Sequence, residues 1–328
     1  MTKAAHRGVL ALAAAAVLLG GAASAQPADP GQPYAVKAKE IAGQDYAWTA
    51  NLLCQRGEIV SSFFGGAHMQ GPDQDVPPVK VFDDLFYIGL REAGMWVVRT
   101  SDGLILVDSL FPGMGEAKVA PEMRRLGLDP ATIKYVLITH AHSDHYGGAR
   151  YFQDKGARVA MSAADWDFLD RQAGPPESKP RRDLVLTDGQ ALTLGKTSLT
   201  VAVTPGHTPG SLALVIPVAD HGAPHMAGLW GGTMISAPVP LADRERYLTS
   251  VDHFLDLTRK AGVDVEIENH PYVGAQIAKM YLLSARKPGA PHPFVVGQAG
   301  FERYMAVIRT CAQAGIERAK VGLERVSR

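Results

Sequence analysis

An excess of charge of either sign is missing from this chain: 33 Lys and Arg balance 33 Asp and Glu, and the sequence pI is about 7.2. That balance leaves no basic footprint for nucleic acid and no general pull toward anionic membranes. Cysteine is nearly absent. The two present, Cys54 and Cys311, lack the close spacing of ligands, which argues against metal binding through sulfur. In an oxidising compartment they could pair and tie an N-terminal arm to the last helix; two isolated buried thiols are the other reading. No fixed-period repeat and no low-complexity domain interrupts the 328 residues. The apolar stretch from Val9 to Leu19 falls well short of the roughly 20 residues that a bilayer span needs. It follows Lys3, His6 and Arg7 and precedes Ala23-Ser24-Ala25, which is the pattern of a secretory signal peptide cleaved after Ala25. Export to the periplasm or medium is the expectation, with no membrane attachment after cleavage.

Histidine, by contrast, is concentrated. Thr139-His140-Ala141-His142-Ser143-Asp144-His145-Tyr146-Gly147-Gly148 packs three imidazoles and a carboxylate into six consecutive positions. The cluster starts where the buried strand pattern Tyr135-Val136-Leu137-Ile138 stops, so its members sit on a loop carried by a rigid sheet. Imidazoles mixed with a carboxylate suit zinc or another borderline cation better than calcium or magnesium, which prefer oxygen shells. Alternate residues of a tight loop can aim at one point. His140 and His142 can therefore share one ion while Asp144 and His145 reach a second.

In this cluster the chain resembles the metallo-β-lactamase superfamily, whose first motif is His-x-His-x-Asp-His. The resemblance continues in order along residues 79 to 300. Gly103-Leu104-Ile105-Leu106-Val107-Asp108 is similar to the strand ending in the family's structural Asp, Thr204-Pro205-Gly206-His207-Thr208-Pro209-Gly210-Ser211 to its second histidine motif, and Glu268-Asn269-His270-Pro271 to its last. The resemblance implies two zinc ions per chain, one held by His140, His142 and His207 and the other by Asp144, His145 and His270. Each ligand then stands at or just after a predicted strand, 134–139, 198–204 or 263–268. Asp108 reads either as the group that orients a ligand histidine through its other ring nitrogen or as a strand-end carboxylate capping backbone amides. His68, His221, His225, His253 and His292 match no family motif and read as surface or capping residues.

The segment Trp230-Gly231-Gly232-Thr233-Met234-Ile235-Ser236 narrows the subclass. Family members resembling glyoxalase II carry a metal-bridging Asp in this region, and the first zinc β-lactamase subclass carries a Cys ligand. This chain offers neither, only hydroxyls, which are poor zinc ligands beside thiolate or imidazole. The third subclass, which completes its second site with Asp, His and His, is the nearest pattern. Thr233 or Ser236 is expected to contact substrate, the alternative being that small residues here allow close backbone approach.

A chain of this length, 46% hydrophobic, can bury one large core. Strand-like runs at Val79-Lys80-Val81-Phe82, Trp96-Val97-Val98-Arg99 and Leu104-Ile105-Leu106-Val107 precede an alternation with helical patterns near 115–126, 162–171, 243–261 and 301–320. That order fits two packed mixed β-sheets with helices outside, the α/β class; the resemblance makes it an αββα sandwich. The expected organisation is a signal peptide over 1–25, an N-terminal arm over 26–78 and a hydrolase domain over 79–328. Val36 to Leu53 reads as helical within the arm, and Phe63 and Phe64 read as core packing or as a substrate wall. The implied reaction is attack on a strained amide or ester by water activated between two zinc ions, with Asp144 catalytic as a proton carrier. A β-lactamase acting as a monomer on small molecules is the leading expectation. A hydrolase of another ester, lactone or thioester is the second, and a non-catalytic zinc-binding protein is a third.

Overall fold

The computed structural model describes residues 28–55, 74–235 and 239–324. Ser236, Phe63, Phe64, His68 and the whole 1–25 segment lie outside them. Among the described residues two sheets face each other. The first has seven strands in the order β1 to β7: β1 (Asp75–Lys80), β2 (Leu85–Leu90), β3 (Gly94–Thr100), β4 (Gly103–Val107), β5 (Ile133–Leu137), β6 (Arg158–Ser162) and β7 (Leu184–Leu186). Its first four strands are antiparallel neighbours and its last four are parallel. Pro77 and Pro78 cannot donate to a ladder, and they sit in β1 at the sheet edge, where the register with β2 shifts between Val76 and Val79. The second sheet has the order β12-β11-β10-β9-β8, built from β8 (Ala191–Leu194), β9 (Thr197–Val203), β10 (Leu212–Asp220), β11 (Ala223–Trp230) and β12 (Val265–Ile267).

Strand parity assigns side chains to layers. Along β3, Trp96 and Val98 enter the core between the sheets, while Met95 and Val97 face the outer layer. Along β10, Leu212, Leu214 and Ile216 point inward, and Ala213 and Val215 point outward. Strands covered on both faces read as unbroken apolar runs rather than alternations, which is why Leu104-Ile105-Leu106-Val107 is legible as a strand. The outer face of the first sheet carries α3 (Ala120–Arg125), α4 (Ser143–Tyr146), α5 (Ala149–Gln153) and α6 (Ala163–Arg171). The outer face of the second carries α7 (Leu241–Ala261) and α9 (Gly297–Lys320), with α8 (Gln276–Ser284) at one side. The layering is the expected αββα sandwich.

The arm contributes to this core. Helices α1 (Gln32–Ala42) and α2 (Ala47–Leu53) bury Ala38, Ala42 and Ala50, and the turn between them buries Tyr46, in the same cluster as Phe301, Tyr304 and Ile308 of α9. A disulfide joins Cys54 to Cys311, deciding between the paired and the isolated thiol readings. Arg318 of α9 reinforces the junction: Nη1 donates to the Cys54 carbonyl at 2.8 Å, and Nε and Nη2 hold the Asp29 carboxylate. No described helix is long and apolar enough to cross a membrane.

Candidate metal centre

Four strand ends build the site. β4 and β5 are parallel neighbours, so Asp108 and the His140 loop leave the first sheet at the same edge. In the second sheet β9 and β12 also run the same way, since β10 opposes both β9 and β11 while β11 and β12 are parallel. His207 and His270 therefore emerge together. The two edges meet, and all six expected ligands converge in two groups of three whose donor atoms lie within 4.8 Å of one another: His140, His142 and His207, and Asp144, His145 and His270.

In the first triad His207 Nε2 lies 3.1 Å from His140 Nε2 and 3.1 Å from His142 Nδ1. Outer contacts fix which nitrogen carries the proton. His207 Nδ1 meets the Met234 carbonyl, which can only accept. His140 Nδ1 lies 3.2 Å from Thr139 Oγ1, whose single proton is directed to Asp108 2.9 Å away. Both rings thus turn an Nε2 lone pair inward. Burial and the neighbouring imidazoles hold the His140 and His207 pKa values well below the usual histidine range, and burial lowers His142 to about 4. The inward Nε2 of His140 and the His142 Nδ1 thus both converge within 3.1 Å of the inward Nε2 of His207. That donor chemistry fits a borderline metal such as zinc.

The second triad is charged. His145 Nε2 lies 3.2 Å from His270 Nε2 and 3.2 Å from Asp144 Oδ2. Its Nδ1 meets Asp108 Oδ2 at 2.8 Å, and His270 Nδ1 donates to the Glu92 carbonyl at 2.8 Å. Burial opposes charge on His145, but the Asp144 and Asp108 carboxylates outweigh it and raise the imidazole to about 10. Burial likewise disfavours the Asp144 carboxylate, yet the His145 charge and hydrogen bond hold its pKa well below the usual range.

Asp108 combines both roles expected of it. Besides holding His145, Oδ1 accepts from the Thr139 backbone N–H at 2.7 Å, and Asn269 Nδ2 donates to Oδ2 at 3.3 Å. The residue turns through a left-handed φ of 67° directly after β4, a conformation Asp tolerates better than most. Thr233 requires a correction. Expected at the substrate surface, it is 2% exposed, and its hydroxyl sits 2.6 Å from the buried Glu268 Oε2. The Thr233 side chain holds Glu268 inside the fold. The close-approach reading describes Gly231 well: an added Cβ would stand 2.2 Å from the Leu212 carbonyl and 2.7 Å from Thr139 Cβ. His292 is buried rather than on the surface, stacked on Phe82 with Nε2 against the Val81 carbonyl.

Several contributors escaped the sequence reading. Buried Asp165 accepts from the backbone N–H groups of Ala141 and Gly210. Its signal was its place three residues after Ser162, a helix-capping pattern that says nothing about distant partners. Gln172 Nε2 donates to the Ala141 carbonyl. Phe168 flanks His142 and Tyr272 flanks His270, with ring centroids 6.2 and 5.4 Å apart. Glu268 is buried, which lifts its carboxyl to about 8, with Thr233 and Tyr304 hydroxyls against it.

Residues 90–221 match the family model for the metallo-beta-lactamase superfamily. Among curated proteins the chain is similar to an acyl-coenzyme A thioesterase of Gallus gallus, 26% identical over 219 residues, covering 56% of this chain and 74% of the relative. It is also similar to a hydroxyacylglutathione hydrolase of Acidiphilium cryptum, 39% identical over 79 residues, covering 24% of this chain and 28% of the relative; it spans little more than a quarter of that protein. Among solved structures, a subclass B3 metallo-beta-lactamase of Bradyrhizobium japonicum superposes with a TM-score of 0.61 at 25% identity, covering 79% of this chain and 97% of that one.

Proposed function

The chain belongs to the metallo-β-lactamase superfamily and has its metallo-hydrolase fold, and from that premise we propose that it is an exported two-zinc hydrolase that opens β-lactam rings. The observation carrying this reading is the second triad, Asp144, His145 and His270, together with a 231–233 segment that brings neither carboxylate nor thiol to it. That set is the pattern of the third zinc β-lactamase subclass, and the likeness to a B3 enzyme over nearly its whole length supports it. His140, His142 and His207 would hold one zinc, and Asp144, His145 and His270 the other. Zinc bound there would supply Lewis acidity, bringing the pKa of a held water toward neutrality and polarising the attacked carbonyl.

The chain's own residues do the rest. Asp108 fixes the His145 tautomer, the Met234 and Glu92 carbonyls fix His207 and His270, and the rings stay oriented without reorganisation. Asp144 is the most solvent-accessible of its triad, with 21% of its side chain exposed against 0% for His145 and 9% for His270. Its carboxylate can take the proton of the attacking water and return it to the leaving nitrogen as the carbonyl–nitrogen bond breaks. The Cys54–Cys311 disulfide supports an oxidising compartment and hence export.

A second reading, thioester hydrolysis, is favoured by the relatives named for acyl-coenzyme A and hydroxyacylglutathione. Steady-state hydrolysis of a carbapenem, a cephalosporin and an acyl thioester, with and without chelator, separates the two. Chelator-sensitive β-lactam turnover with kcat/KM above about 10⁴ M⁻¹s⁻¹ is expected. Feeble β-lactam turnover by protein that holds zinc, beside efficient thioester cleavage, overturns the first reading in favour of the second. Asp144→Ala should cost about 10²- to 10⁴-fold in kcat.

A further inference from the structure

Asp165 is fully buried near the metal centre, belongs to neither triad, and pairs with no cation among its hydrogen-bond partners. A buried carboxylate without a counter-charge is costly unless hydrogen bonds compensate it. Here burial still raises the carboxyl above its ordinary range, and hydrogen bonds from Thr208, Ala141 and Gly210 offset part of that cost; their origin is informative. Oδ2 accepts from the Ala141 backbone N–H at 2.8 Å and from the Thr208 hydroxyl at 2.8 Å, while Oδ1 accepts from the Gly210 backbone N–H at 2.7 Å. Ala141 lies between His140 and His142. Thr208 and Gly210 follow His207. One carboxylate therefore ties together the two loops that carry every member of the first triad.

Local helix chemistry does not account for this. Asp165 occupies the third position of α6, where a carboxylate ordinarily reaches back to the backbone N–H of the capping residue. The cap exists in one direction only: Ser162 Oγ accepts from the Asp165 N–H at 3.2 Å, but the Asp165 carboxylate turns away to loops 24 and 45 residues distant in sequence. The His207 loop is also shaped to approach it. An added Cβ at Gly210 would stand 2.0 Å from Ser162 Oγ and 2.8 Å from the Asp165 backbone nitrogen, so only glycine lets this loop rest on the start of α6. Ser211 completes the seat, its hydroxyl accepting from the Thr208 N–H at 3.0 Å and lying 2.6 Å from Thr208 Oγ1.

We propose that Asp165 is a positioning residue for the first metal site alone, setting the separation between the His140–His142 loop and the His207 loop. This inference rests on the zinc assignment proposed above. It differs from the role of Asp108, which holds the His145 ring of the second triad directly and reaches His140 of the first only through the Thr139 hydroxyl. Asp165 touches no ligand ring; it fixes the backbones from which the rings project.

The test is zinc affinity, site by site, in the full chain, measured by competition with a chromophoric chelator. A His270→Ala background isolates the first site and a His207→Ala background isolates the second. Asp165→Asn keeps shape and one acceptor, but its amide nitrogen must face a backbone N–H, donor against donor. The expected result is a 10- to 100-fold loss of zinc affinity at the first site, the usual size for a group supporting ligands from outside, with the second site changed less than about threefold. A merely structural role would weaken both sites alike, and that outcome, or unchanged affinity at the first site, overturns the proposal. If Asp165→Asn fails to fold, Thr208→Val removes one of the three ties and is read by the same split, with a smaller first-site loss expected and the same overturning results. If the His270→Ala protein with Asp165 intact binds no zinc, the zinc assignment itself falls, and this inference with it.

Discussion

The two halves of the metal centre are held in opposite ways. The first triad is three imidazoles, of which His140 and His207 rest their outward nitrogens on a hydroxyl and a backbone carbonyl, and their loops are joined through the Asp165 carboxylate. The second is built around His145, whose two ring nitrogens lie against the Asp144 and Asp108 carboxylates. A divalent cation held by the first triad would have only imidazoles as ligands; one held by the second would have the Asp144 carboxylate among them. The lesson is that one candidate metal centre can combine a group of ligands preorganised by backbone with a group preorganised by carboxylates. Damage to each should then travel along a different route.

The strongest way to break this comparison is to delete one ligand from each half. His207→Ala should abolish tight binding at the first site and leave about one zinc per chain, and His270→Ala should do the same at the second. Metal analysis after equilibration against a weak chelator reads both. Retention of two tightly bound zinc ions in both variants would sink the assignment of separate triads.

Next in size is the carboxylate behind His145. Asp108→Asn keeps the volume but puts an amide where Oδ1 or Oδ2 accepted from Thr139 and from the His145 ring. The expected loss is about 10- to 100-fold in zinc affinity at the second site, against the first-site loss expected for Asp165→Asn. Asp108→Ala should go further and cost several kcal/mol of stability, because it leaves the buried donors of Thr139, Asn269 and the His145 ring without their acceptor. Chemical denaturation of the metal-free protein measures that cost. Should Asp108→Asn weaken the first site more than the second, the division of labour between the two carboxylates is wrong.

Why the ligands were legible in sequence and their supports were not follows from distance along the chain. His140, His142, Asp144 and His145 occupy six positions, and His207 and His270 each stand just beyond a β-branched or apolar strand run, so motif order and strand pattern alone mark them. The predicted strands 134–139, 198–204 and 263–268 meet the observed 133–137, 197–203 and 265–267 within about two residues. Layering was equally readable, because doubly covered strands leave continuous apolar runs. Asp165 was not, since a carboxylate at a helix start looks the same whether it caps its own helix or reaches another loop. Thr233 misled for a related reason: a hydroxyl beside two glycines says nothing about which way it points, and Glu268, its buried partner, is 35 residues away. The pairing of Cys54 with Cys311 across 257 residues needed the arm's path over α9, which no local pattern encodes.

That path supplies the smallest prediction and a sharper form of the comparison. Among the described residues, the arm's hydrogen bonds toward the centre reach the loop of one half. Trp48 Nε1 donates to the Tyr272 carbonyl at 2.6 Å and Thr49 Oγ1 to the Val273 carbonyl at 2.7 Å, both on the loop that follows His270. The disulfide lies one residue past α2, the helix that carries Trp48 and Thr49. Replacing both cysteines by serine should cost about 2–5 kcal/mol of stability, the range for native disulfides closing long loops. Its effect on metal binding should be a few-fold at most, because the Arg318 contacts to Asp29 and Cys54 and the buried Tyr46 still dock the arm. The sign and place of that small effect are the informative part: it should fall on the Asp144, His145 and His270 site and spare His140, His142 and His207. Equal weakening of both sites in the double serine variant would mean that the arm stabilises the sandwich as a whole, and that the second triad is held by charge without help from the N-terminal helices.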